Sequence, residues 1–121
     1  MSTLKADTIQ NTSGGAVTLT NQVAAKARGT INYSGGTPSI SDDFNVSSIG
    51  DTSLGNVDVN FTNAMSSTTY QGLATANFGG TGSDTAHCED KTASDFNFNS
   101  RNNGSDVDIG PSDFAIFGDL A

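Results

Sequence analysis

An all-β domain, an antiparallel β-sandwich or barrel-like sheet with a short extended N-terminal appendage, is what this sequence predicts. Three observations carry the prediction. Large apolar residues arrive in pairs two positions apart: Val17 and Leu19, Ile31 and Tyr33, Phe44 and Val46, Val57 and Val59, Phe96 and Phe98, Phe114 and Ile116. That period belongs to strands with one buried and one wet face. Clusters of Gly, Asn, Ser, Asp and Pro then interrupt the chain at roughly 8- to 15-residue intervals, the punctuation of an all-β domain. Finally, only residues 21–28 lean towards helix, with Asn21 as an N-cap and Ala24, Ala25 and Ala27 as good formers.

Taken in order, residues 4–10 and 16–20 read as short β segments joined by 11–15, where Gly14 and Gly15 allow a tight turn. Eight residues make a marginal helix, so 21–28 reads equally well as a linker. A boundary falls there, dividing residues 1–28, an attachment or oligomerisation segment, from a β-domain at 29–121. Strands are expected at 29–33, 42–49, 56–62, 69–78, 93–100 and 112–118, with breaks at 34–38, 50–55, 63–69, 79–84, 101–105 and 110–111. The clearest hairpin is 56–78. Val57, Val59 and Phe61 alternate with Asp58, Asn60 and Thr62, and Tyr70, Ala74, Ala76 and Phe78 would share one face of the next strand, opposite Gln71, Thr75 and Asn77. The last strand differs in kind, because Phe114, Ala115, Ile116 and Phe117 are apolar on both faces. Such a strand needs two covers, its own core and either a loop of the same chain or another subunit.

At 121 residues the chain has room for one core. Gly, Ser, Thr and Asn make up nearly half of it, and Leu, Ile, Val and Phe about a fifth. A core this sparse is marginal alone, and with a lone cysteine, Cys88, no disulfide can close within the chain. Association is the expected supplement. The formal charge of −8, thirteen acidic against five basic residues, argues against a nucleic-acid partner, since phosphate contacts need clustered Lys and Arg. No run approaches the ~20 apolar residues of a membrane span, and the N-terminus has no signal-peptide pattern, so synthesis in a cytoplasm without membrane insertion is expected.

Candidate chemistry is thin. His87, Cys88, Glu89 and Asp90 stand together, but consecutive residues on an extended chain alternate faces, and zinc needs two spaced pairs of ligands. A solvated loop is expected there. The acidic pairs Asp42 with Asp43 and Asp106 with Asp108 could offer oxygens to calcium, yet they lack EF-hand spacing and read as turn residues. No metal, cofactor or catalytic residue is therefore assigned, and no enzyme is expected. Tyr33 and Tyr70, beside loops, are the candidate glycan contacts, weighed against simple core packing.

Several segments resemble small tail-fibre or virion fibre proteins of marine tailed bacteriophages, of the cyanophage and pelagiphage type: V-N-F-T-N-A-M-S-S-T-T-Y at 59–70, L-K-A-D-T-I-Q at 4–10, A-V-T-L-T at 16–20, A-A-K-A at 24–27 and F-A-I-F-G-D-L-A at 114–121. Where that family often has an aromatic residue after A-A-K-A, this chain has Arg28. The resemblance implies a non-enzymatic virion protein, located in the particle, whose partners are itself, as a trimer, and other phage tail or capsid proteins. A host-receptor or glycan-binding tip and a capsid decoration or head-fibre protein are the alternatives. Leu4, Ile9, Val17 and Leu19 in the N-terminal segment, with Phe114, Ile116 and Phe117 in the last strand, are the expected attachment and oligomer-interface residues.

Overall fold

The computed structural model describes residue 13, residues 24–77 and residues 82–121. The β segments expected within 4–20, with Leu4, Ile9, Val17 and Leu19, and the expected place of Phe78 lie outside these described residues. Among the described residues the chain forms β1 (Ala27–Ser34), β2 (Thr37–Phe44), β3 (Val46–Ser53), β4 (Asn56–Phe61), β5 (Gln71–Ala76), β6 (Asp84–Glu89), β7 (Asp95–Asn102), β8 (Ser105–Asp106) and β9 (Ser112–Phe117). A four-stranded sheet, in the order β2-β1-β9-β5, faces a five-stranded sheet in the order β3-β4-β7-β6, where β8 also pairs with β7. The pairings are antiparallel. The fold is the expected all-β sandwich. Among the described residues no helix is long and apolar enough to cross a membrane.

The paired apolar residues explain the interior. Ile31, Val57, Val59, Phe96, Phe98 and Ile116 are wholly buried, and Phe114 nearly so. Each such side chain contributes about 1.5–3 kcal/mol by leaving water. Phe96 of one sheet meets Phe114 of the other edge-on, ring centroids 5.2 Å apart, so aromatic contact joins the layers at mid-core. Gly29 leaves room for that ring, since a Cβ there would lie 3.0 Å from Phe114 Cζ and 2.7 Å from Ile40 Cδ1. Met65 and Tyr70, from the loop that follows β4, are also buried in this cluster.

Four expectations need correction. The hairpin expected over 56–78 does not form: β4 pairs with β3 and β7 in one sheet, while the loop after it carries the chain across to β5, which pairs with β9 in the other. Residues 42–49 are not one strand, because Asn45 adopts φ 59 and turns the chain from β2 in one sheet to β3 in the other. Its side chain holds that corner: Nδ2 donates to Asn63 O at 3.0 Å, and Oδ1 accepts from Asn63 N at 2.7 Å. Phe44 and Val46 thus end up in different sheets. Residues 84–89, expected to be loop, form β6 because Ala86 and Cys88 pack inward against the core while His87 faces out. The helix-leaning run shows no helix in its described part, and Ala27 and Arg28 already belong to β1, where Ala27 is buried. Pairing with β9 overrides alanine's helix propensity.

Candidate functional site

Among the described residues, the outer face of the four-stranded sheet carries two exposed large hydrophobic side chains, Leu73 and Phe44. Strand β9 alternates, so Phe114 and Ile116 point into the sandwich while Ala115 and Phe117, both half-buried, lie on the outer side. The interface role expected for Phe114 and Ile116 is thereby corrected: at 4% and 0% exposure they fill their own chain's interior. Phe117 stands on the outer side opposite Gln71 of β5.

Across this outer face runs a single row of directly opposed residues. Leu73 of β5 pairs with Ala115 of β9, Ala115 with Arg28 of β1, and Arg28 with Phe44 of β2. Opposed residues in antiparallel strands project from the same face, and the row spans about 14 Å at the usual strand spacing. Its ends are apolar and wet, with Leu73 63% and Phe44 54% exposed. A shallow hollow of about 160 Å³ lies along Leu73, Thr75, Asp113 and Ala115. Between the ends, Arg28 Nη1 reaches Asp42 Oδ2 at 2.9 Å and donates to Asp42 O at 2.8 Å. The neighbouring row is polar, with Thr30 Oγ1 donating to Asp113 Oδ1 at 2.7 Å.

Sequence reasoning missed Leu73 and the exposure of Phe44. Leu73 carried a usable signal: it is an apolar residue in the polar phase of β5, beside Gln71 and Thr75, so the alternation that turns Ala74 and Ala76 inward must present it to solvent. Phe44 carried none, because its apparent partner Val46 depended on an unbroken strand.

Tyr70 offers no open ring to a sugar, and Tyr33 is half-buried. Tyr70 is 4% exposed, packs edge-on against Phe61 with centroids 5.8 Å apart, and donates its hydroxyl to Asp95 O at 2.7 Å. Lys91 Nζ lies 5.5 Å from the ring centroid and donates to Tyr70 O. Burial, then the Asp95 charge, raises the Tyr70 hydroxyl above the ordinary tyrosine range. Tyr33 packs against the core cluster, and burial followed by the nearby Asp108 carboxylate pushes its hydroxyl up to about 12.

Elsewhere the candidate chemistry disperses. Cys88 faces inward and burial pushes its thiol up to about 11, so it stays protonated near neutrality, while His87 lies on the opposite side of β6. The acidic pair at 106 and 108 is divided between structural tasks. Asp106 Oδ1 accepts from Arg101 Nε at 2.7 Å and from Asn99 Nδ2 at 3.2 Å, whereas Asp108 Oδ1 accepts from Gly55 N at 2.7 Å. Asp42 is tied to Arg28. Among the described residues no three His, Cys, Asp or Glu side chains gather in a way that could hold a metal ion. In comparisons with protein-family models, curated proteins and solved structures, nothing matches this chain.

Proposed function

We propose that the chain is a non-enzymatic structural subunit of a phage particle, a small fibre or tail-associated protein that self-associates as a trimer and attaches through its N-terminal segment. One observation carries the self-association: a sandwich with a sparse core leaves an apolar-ended row in water across the outer face of a whole sheet. Burying such a face against another copy supplies apolar contact that the single chain lacks. The segments at 4–10, 16–20, 24–27, 59–70 and 114–121, similar to those of small phage fibres, support placing the subunit in a virion. A structural role also agrees with polar groups that are tied to one another rather than gathered in a cleft.

Function in such a subunit is geometric: repeated copies held in one array act together, and weak contacts add through avidity. Labelling purified particles with an antibody raised against the β-domain tests the assignment. Label at the tail, in multiples of three per fibre position, is the expected result. Label on the capsid shell would move the subunit to a decoration or head-fibre role. Particles that carry none of the protein would refute a virion role.

A further inference from the structure

We infer that the contact between copies is made by Leu73 of one chain against Phe44 of the next, with the outer face of the four-stranded sheet turned towards the assembly. The inference deepens the self-association proposed above and rests on it. Among the described residues three large hydrophobic side chains stand exposed: Leu73 and Phe44 occupy opposite ends of one row, and Leu54 lies in the turn between β3 and β4, strands of the other sheet. An isolated exposed leucine is ordinary. Two at the ends of the same row on opposite edge strands give each copy both halves of a contact.

Charge selects the same face. Copies that each carry −8 repel one another, so association favours the surface with the smallest uncompensated charge. The strands of the five-stranded sheet hold Asp51, Asp58, Asp84, Glu89, Asp95 and Asp106 against Arg101 alone. The strands of the four-stranded sheet hold fewer, Asp42, Asp43 and Asp113 against Arg28: Asp42 is paired with Arg28, Asp113 accepts a hydrogen bond from Thr30, Asp43 stands exposed, and β5 carries no charge. Its outer surface is where two such chains approach at least cost.

Size sets the strength. Four strands at ~4.8 Å spacing and six to eight residues at ~3.3 Å each present a few hundred Å², below the ~800 Å² per partner of a standard stable interface. The β-domain contact is therefore weak for each pair and sensitive to losing either end. Replacing Leu73 or Phe44 by serine is expected to weaken association by about tenfold or more, the loss of one buried apolar side chain.

A cysteine-pair experiment on the full chain tests the contact. In a Cys88→Ala background, chains carrying Leu73→Cys are mixed with differently tagged chains carrying Phe44→Cys and mildly oxidised, with Leu54→Cys as the off-row control. Urea unfolding and light scattering of each variant accompany the cross-linking. The expected outcome is a mixed disulfide between tags, about tenfold more abundant than links within either tag or to Leu54→Cys. A chain carrying both cysteines should then close into a covalent dimer if the contact is twofold, or a covalent trimer if it runs head to tail; either supports the contact. An associated protein whose mixed disulfide is no more abundant than the controls overturns this inference while leaving self-association intact. Light scattering that finds only monomer overturns both.

Discussion

On the outside of the four-stranded sheet, Leu73 and Phe44 stand in water and Arg28 between them pairs with Asp42, whereas the outside of the five-stranded sheet carries a cluster of polar side chains bonded to one another. There Asn99, only 1% exposed, donates from Nδ2 to Asn56 Oδ1 at 2.9 Å and to Asp106 Oδ1 at 3.2 Å, and Arg101 closes the group on Asp106. Asn97 Nδ2 reaches Asp58 Oδ1 at 3.3 Å. Both faces belong to the same small sandwich, and both alternate with a shared core. The difference teaches that a sheet face can be finished by its own side chains or left for a neighbour to finish. Polar side chains that satisfy one another contribute to folding; apolar ones left in water contribute when something covers them.

The largest effect is expected where the five-stranded sheet is most tightly closed. Gly55, at φ +72, turns β3 into β4 against the β7–β8 hairpin, and a Cβ there would lie 2.6 Å from Ser100 O and 2.7 Å from Val107 N. Gly55→Ala should cost about 2 kcal/mol or more in urea unfolding, since both its conformation and the backbone around it reject a side chain. Next comes Asn99→Ala, which strips Asn56 and Asp106 of a buried donor and should cost about 1–3 kcal/mol, with association of the protein that remains folded unchanged. An Asn99→Ala chain that folds normally but associates weakly would reverse the roles given to the two faces.

Alkaline titration probes the core between those faces. Burial raises both tyrosine hydroxyls, so the folded chain holds protons that the unfolded chain releases. Their stabilisation is complete below about pH 10 and is lost as pH rises through the folded values, which for Tyr33 is about 12. Absorbance at 295 nm should show neither ring ionising at pH 10 while the fold persists; titration at the free tyrosine value in folded protein would refute their burial. The smallest effect belongs to Asp106, whose exposed carboxyl is held below the usual range, first by the hydrogen bond from Arg101 and then by that from Asn99. A depressed carboxyl stabilises the fold above its ordinary value and loses that contribution as pH falls through the depressed one. Asp106→Asn should therefore flatten slightly the acid limb of stability below about pH 4, measured by urea midpoints across that range.

Much of this was legible in the chain. Pairs such as Val57 with Val59 and Phe96 with Phe98 announce both strand and buried face, because period-2 alternation is a local property. The corner at Asn45 was not, since it depends on an asparagine adopting positive φ and binding Asn63 eighteen residues away. Strand β6 was hidden for a related reason: Ala86 and Cys88 are small, and only their approach to the core identifies the inward face. At the site, the two-sided apolarity of 114–117 correctly marked β9 as unusual, yet which of its residues face outward depends on strand phase. The row from Leu73 to Phe44 depends on the register of four strands, of which only β1 and β2 are neighbours in sequence, and no local pattern encodes the pairing of β9 with β1 and β5.

Sedimentation equilibrium of the unaltered chain beside a Phe44→Ser, Leu73→Ser double variant tests the central claim most directly. The account expects the unaltered chain to sediment as a concentration-dependent multiple of 12.3 kDa, and the variant to shift towards a single chain at an unchanged urea midpoint. An unaltered chain that remains monomeric throughout, or a variant that associates as strongly as the original, would contradict it.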